Sequence, residues 1–240
     1  MRPWVVETAG PDALMVRFGE TITPKLVPLI RGASDQLRRE LGERLYDLIP
    51  SYTTLMIVFD PRQLSVEEMA GRVSDVLQYL EATEESVGEL IEIPVWYDLS
   101  VGPDLERVAR YNRLSVEQVI EQHSAVEYHV FAIGFAPGFA YMGEAPQALA
   151  TPRLDTPRPA VPVGSVALAD RQTAVYPIET PGGWNLIGRT PVNMFDRERA
   201  ALCPVSAGDR VRFAPISRAE YLAQGGRLPP ASWQERGGAR

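Results

Sequence analysis

Lysine is nearly missing from this 240-residue chain: Lys25 is the only one among 24 basic residues, and the others are arginines. A Schiff-base enzyme, a biotin-carrying segment and a Walker-type phosphate loop each need a lysine in a defined setting. Lys25 sits in Thr-Pro-Lys-Leu at a helix start and fits none of them. Cysteine is equally scarce. Cys203 stands alone, so no internal disulfide forms, which points to a reducing compartment, the cytoplasm. Next to Pro204 it reads as a small buried residue. The two histidines, His123 and His129, lack cysteines and metal-ligand spacing, so no metal site is expected. Positive charge is not in excess either. The formal net charge is −7, which argues against a nucleic-acid partner. No apolar run approaches the roughly 18 residues that span a bilayer. The opening MRPWVVETAG has no signal pattern. With 45% hydrophobic and 23% charged residues, the chain is neither disordered, collagenous nor disulfide-stapled.

Proline, in contrast, is plentiful, and 13 of the 21 prolines follow residue 130. That asymmetry divides the sequence. Residues 1–85 alternate strands and helices. Asp12–Phe18 reads as a strand. Leu26, Ile30, Ala33, Leu37 and Leu41 keep helical spacing after Thr23-Pro24. Tyr46–Ile49 and Thr54–Phe59 read as strands around a Pro50-Ser51 turn. Ser65-Val-Glu-Glu68 is a capping box ahead of a second amphipathic stripe. This order suggests a small α+β unit of ferredoxin-like type. The polar run 81–88 reads as a linker. Residues 86–240 form the second domain. It has a strand at Glu89–Tyr97 and helices at Pro103–Tyr111 and Ser115–Ser124. Beyond residue 126 it shows only strands and turns, with strands at Val161–Ala169, Thr173–Ile178, Trp184–Gly188 and Arg210–Pro215. Short strands among many prolines suggest an irregular β-barrel. Gly225–Arg240 reads as a loose tail.

Three segments carry candidate chemistry. Phe131–Tyr141 packs aromatics around two glycines, and Tyr141 is its candidate ligand-facing hydroxyl. Thr151–Ser165 places Pro152-Arg153 and Pro157-Arg158 five residues apart. Proline rigidity would preorganise both guanidiniums to clamp a carboxylate or phosphate, with Ser165 adding a hydroxyl. Pro181–Pro191 holds Gly182, Gly183 and Trp184, then Arg189 as a third anion binder. Glu179, just before it, could act as an acid or base. His123 lies on an apolar helix face, where core packing competes with a catalytic role. No Gly-x-Ser-x-Gly elbow is present.

GFAPGFAYMG, TPRLDTPRPAVPVGSV and PGGWNLIGRTP together resemble the KipI/PxpB family, also labelled allophanate hydrolase subunit 1. The weaker PVWYDLSVGPDLERVA, with His123 and Tyr128, resembles the same family. The resemblance covers about residues 90–215. The Val166–Ala174 segment departs from it, with Ala167, Asp170, Arg171 and Ala174 where members often carry glycines, while Gln172 and Thr173 match. The resemblance implies an α+β fold: a small N-terminal domain followed by a cyclophilin-like β-barrel. It also implies a subunit of ATP-dependent 5-oxoprolinase, converting 5-oxoproline to glutamate with a PxpC/KipA-type and a PxpA-type partner.

On this reading His123, Tyr141 and Glu179 are candidates for proton transfer. Arg153, Arg158, Ser165, Gln172, Gly182, Gly183, Trp184 and Arg189 are candidates for substrate binding. ATP, with magnesium, would be bound together with the partners, because this chain lacks the phosphate-loop lysine. No biotin attaches to it. The alternatives are a KipI-like inhibitor of a sensor histidine kinase, whose motifs would form a docking surface, and a carboxyltransferase or allophanate hydrolase-like subunit that receives its carboxyl group in trans.

Overall fold

The computed structural model describes residues 4–80, 88–229 and 233. The expected linker lies almost entirely outside them. The chain divides into two compact units, Met1–Glu89 with Ala207–Asp209, and Leu90–Ser206 with Arg210–Arg240.

The first unit builds one antiparallel sheet covered by two helices. A hairpin of β1 (Val5–Gly10) and β2 (Ala13–Arg17) leads to α1 (Leu26–Leu41). A second hairpin, β3 (Leu45–Ser51) and β4 (Thr54–Phe59), leads to α2 (Val66–Leu77). The strand order is β1-β2-β4-β3. This ββαββα succession differs from the βαββαβ of a ferredoxin-like unit. The difference lies in the added β1, whose residues are mostly exposed and show no alternation that would mark a strand, and in the strand after α2, which joins the other sheet. The spaced apolar residues of α1 do face inward, with Ile30, Ala33, Leu37 and Leu41 buried against Leu14, Leu55 and Ile57. The Ser65–Glu68 capping box forms and opens α2. Pro50 and Ser51 pair with Leu55 and Thr54, so the turn falls two residues later, at Tyr52, with φ +50°. Because β3 is an edge strand, Pro50 is tolerated in it.

The second unit starts with β5 (Leu90–Val95), α3 (Leu105–Asn112) and α4 (Val116–Ser124). Strands follow: β6 (Tyr128–Ile133), β7 (Ala140–Gly143), β8 (Arg158–Val161), β9 (Ser165–Ala169), β10 (Gln172–Val175), β11 (Thr180–Gly182), β12 (Asn185–Arg189) and β13 (Arg210–Pro215). Helix α5 (Arg218–Ala223) comes last. Seven strands form one sheet in the order β12-β9-β10-β7-β6-β13-β5, and β8 pairs with β11 in a separate ribbon. The two edges of the sheet meet. Trp96, just past β5, and Arg189, at the end of β12, exchange backbone hydrogen bonds of 2.8 and 2.9 Å. The sheet is therefore a nearly closed barrel, with Ile93, Val95, Val130, Met142, Leu168, Ile187 and Phe213 in its interior.

Three departures from the sequence reading have local causes. The Val161–Ala169 strand is two strands, broken where Gly164 takes φ +81°. Helix α5 was not anticipated, although Ser217-Arg-Ala-Glu220 is a capping box, and it forms one. Cys203 is half-buried rather than buried, and that partial burial pushes its thiol pKa up.

Barrel closure requires backbone to approach backbone. A Cβ on Gly188 would stand 2.9 Å from Val95 Cγ1 and 3.0 Å from the Trp96 carbonyl. On Gly102 it would lie 2.7 Å from the Gly188 nitrogen and closer still to the Ile187 carbonyl. The atoms facing Gly102 are backbone and cannot rotate away. Gly102→Ala should cost about 3 kcal/mol and lower the melting temperature by roughly 6–12 °C. An unchanged melting temperature would show that the seam tolerates a side chain.

Candidate functional site

An aromatic cluster gathers on the second unit around Phe139. Its buried ring makes edge contacts with Phe135, Tyr141, Tyr176 and Trp184 at centroid distances of 5.2, 4.9, 5.3 and 5.7 Å. Gly138 makes this possible. It turns the β6–β7 connection at φ +82°, and a Cβ there would run into the Met194 carbonyl oxygen. Phe135 also has positive φ, at +66°, and is 65% exposed, so its ring is presented outward. Gly182 lies against Tyr176, whose hydroxyl a Cβ at that position would strike. Burial raises the Tyr176 pKa, against a backbone hydrogen bond from Trp184 and the charges of Arg158 and Arg153, so the phenol stays protonated. The sequence reading did not include Tyr176. Nothing in the sequence singles it out, because the residues that surround it come from distant segments.

Arg153 completes this face, with its guanidinium 5.9 Å from the Trp184 ring centroid, within cation–π range. The backbone on both sides of Arg153 is pinned. Asn185 Nδ2 donates to the Pro152 carbonyl at 3.0 Å, and Arg107 Nη1 donates to the same oxygen at 3.3 Å. The Leu154 N–H donates to the Gly183 carbonyl at 2.7 Å. The buried Asn185 is itself fixed, because its Nδ2 also donates to Leu168 O at 3.0 Å and its Oδ1 accepts from Arg107. Arg153 is thus an exposed cation on an anchored segment. Beside it lie Gly182, Gly183, Trp184 and the half-buried Tyr141. Trp233 also packs on the cluster and donates its indole N–H to Ala160 O at 3.1 Å, so this residue of the expected loose tail is docked.

The structure does not gather the other candidates here. Arg158 is 8% exposed and its Nη2 bonds Asp104 Oδ1 at 2.8 Å. Asp104 Oδ2 also accepts the Leu186 N–H at 2.7 Å. This pair ties β8 to the start of α3 and to β12, and it is part of the scaffold. Arg189 ends β12, whose opposite end begins beside Trp184, about 16 Å away at roughly 3.3 Å per residue. The three arginines therefore do not form one clamp. Ser165 is paired across the strands with Arg189. Glu179 lines the cavity next to Arg189. Gln172 opens β10 opposite Gly143, at the other end of that strand from Tyr176.

His123 is fully buried in the barrel unit, stacked on Phe213 with ring centroids 4.6 Å apart. Its hydrogen bonds fix its tautomer. Thr173 Oγ1 donates its single hydrogen to Ala167 O at 3.0 Å, so it accepts from His123 Nε2–H at 2.9 Å. His123 Nδ1 then accepts from the Tyr97 hydroxyl at 2.7 Å. Burial holds the imidazole neutral, with its pKa lowered to about 3, and raises that of Tyr97. No part of the ring reaches a surface where a substrate could meet it. The expected catalytic histidine is a core crosslink between α4, β10 and the segment after β5.

Residues 4–205 match the family model of the carboxyltransferase domain, subdomain C and D, which sets the class of the protein. The chain is 38% identical over 228 residues to the B-type subunit of 5-oxoprolinase from Bacillus subtilis (strain 168), covering 91% of this chain and 95% of that one. It is 41% identical over 206 residues to the protein of the same name from Escherichia coli O157:H7, covering 82% and 94%. Among solved structures it is similar to TTHA0988, with a TM-score of 0.76 and 36% identity over 91% of this chain, and it spans 41% of that longer protein. The Kluyveromyces lactis urea amidolyase shares the fold at a TM-score of 0.72 and 15% identity, over 92% of this chain and 15% of that one. The chain belongs to the KipI/PxpB family, in which these relatives carry the name of the 5-oxoprolinase B-type subunit.

Two outcomes follow from the buried groups. Below pH 6.5 the unfolded chain protonates His123 while the folded chain does not until about pH 3. Its contribution to stability is therefore full above pH 6.5 and declines as the pH falls toward 3. Nitrogen NMR at pH 5 should show a neutral imidazole protonated on Nε2, and an imidazolium signal there would contradict the assignment. Replacing Arg158 with Met should cost about 3–5 kcal/mol, because Asp104 is left buried and unpaired. The Arg158→Met, Asp104→Leu double variant should recover much of that loss in a denaturant melt. A double variant no better than the single one would refute the scaffold role.

Proposed function

We propose that this chain is the B-type subunit of an ATP-dependent 5-oxoprolinase and contributes the face that receives 5-oxoproline. The observation that carries the proposal is the near full-length likeness to proteins that bear this subunit's name. The net reaction takes a lactam, ATP and two waters to glutamate, ADP and phosphate, one water opening the ring and the other hydrolysing ATP. The substrate is small and flat, with one carboxylate and one amide. An exposed arginine held over an indole suits that shape. Arg153 takes the carboxylate through a two-oxygen contact, and the ring lies against Trp184 and the Phe139 cluster. The Tyr141 hydroxyl is the group on this face able to pass a proton to the opening amide nitrogen.

The nucleotide is assigned elsewhere. Lys25 remains outside any phosphate-loop setting. On this reading ATP and its magnesium are held with a PxpC/KipA-type and a PxpA-type partner, in the cytoplasm. No helix of the described residues is long and apolar enough to cross a membrane.

The test is reconstitution with the two partner types and a measurement of ATP-dependent glutamate release. Arg153→Ala should assemble normally and lose about 10–100-fold in kcat/KM for 5-oxoproline, mostly through KM, as expected for loss of a charge-assisted contact of about 1.5–3 kcal/mol. A well-folded complex that releases no glutamate would refute the function. Full activity in Arg153→Ala would remove the assigned face.

A further inference from the structure

At the far end of β12 from Arg153, a cavity of about 540 Å³ opens beside Arg189. It is lined by Val163, Val192 and Leu228 and by the charged Glu179 and Arg227. This volume is within the range of small-molecule sites. Arg189 lines the cavity and Ser165 follows the lining residue Gly164, and each carries a polar group without a hydrogen bond. Arg189 is 8% exposed and its Nε donates to Val163 O at 2.9 Å, yet its buried Nη1 makes no hydrogen bond. Among the described residues, no carboxylate forms an ion pair with it. Ser165 is 1% exposed, and its Oγ is likewise without a hydrogen bond. The two residues are direct cross-strand partners, so their side chains share a face.

An unpaired buried cation is costly, and arginine cannot relieve that cost by shedding its proton. Burial works against the Arg189 charge and lowers its pKa, and the nearby Tyr221 hydroxyl offsets this only in part. Nor does the fold need the charge here, since the backbone of Arg189 already closes the barrel with Trp96. Both unpartnered groups are donors, and together they describe the acceptor they lack. Two coplanar oxygens span the free end of a guanidinium, and one of them can also accept from a neighbouring hydroxyl. Arg189, Arg227 and Glu179 all line the cavity, which leaves about one net positive charge, and with Val163, Val192 and Leu228 beside them the site suits a single negative charge better than a dianion.

We infer that this cavity is a second ligand site, separate from the Arg153 face, that binds the carboxylate of a small organic acid with an apolar body through Arg189 and Ser165. The inference goes beyond the 5-oxoprolinase reading and does not depend on it. The full-length chain should be titrated with isovalerate and benzoate, and with inorganic phosphate as contrast, following thermal stability and backbone NMR shifts. Either carboxylate should raise the melting temperature, to the same extent in wild type and in Arg153→Ala. The rise should vanish in Arg189→Met and weaken several-fold in Ser165→Ala, with NMR shifts at Gly164, Thr190 and Val192. Ser165→Ala guards against an Arg189→Met chain that fails to fold. The inference is overturned if neither carboxylate raises the melting temperature, if the rise survives both substitutions, if it disappears in Arg153→Ala, or if phosphate alone produces it.

Discussion

The second unit depends on how closely β12 approaches the end of β5. One two-way backbone bridge, Trp96 to Arg189, brings the outer strands of a seven-stranded sheet together. It forms because Gly188 and Gly102 carry no side chain where backbone meets backbone. Once closed, β12 is fixed along its length. Asp104 holds it at Leu186 through both a backbone and a side-chain bond, and Asn185 anchors its start. A single short strand therefore sets the position of two chemical environments, the Arg153–Trp184 face at one end and the Arg189 cavity at the other.

The three arginines of the proline-rich half show how environment decides the work of one residue type. Arg153 is exposed on an anchored segment and is free to meet a ligand over Trp184. Arg158 is committed to Asp104, and the pair binds a helix start to two strands. Arg189 is buried and, among the described residues, pairs with no carboxylate, the costliest arrangement among the three. The prolines flanking Arg153 and Arg158 stiffen both segments alike. The difference lies in what the barrel places opposite each guanidinium, which is a property of tertiary structure.

Much of the fold was legible because its signals are local. The Ser65–Glu68 capping box and the spacing of Leu26 through Leu41 place helices without reference to the rest of the chain. Strand β1 escaped because its side chains are mostly exposed, and α5 because its capping box lay within a stretch dominated by strands and prolines. Of the site, the aromatic-glycine and Pro-Gly-Gly-Trp segments were visible, since close approach and edge-to-face packing demand those residue types. The grouping of the arginines was not visible. Nearness in sequence between Arg153 and Arg158 hides a change from a surface loop to a buried strand start. His123 was equally ambiguous, because an apolar helix face suits a core crosslink and a shielded catalyst alike. Only the partners Tyr97, Thr173 and Phe213, from three other segments, decide between them.

The proposal that this chain offers the surface on which 5-oxoproline is held rests on family membership and on the Arg153–Trp184 geometry. The most direct measurement is the structure of the assembled complex with 5-oxoproline bound and ATP withheld. The account predicts the substrate carboxylate on Arg153 with the lactam ring against Trp184. A substrate seated wholly on another chain of the complex, leaving Arg153 and Trp184 untouched, would contradict it.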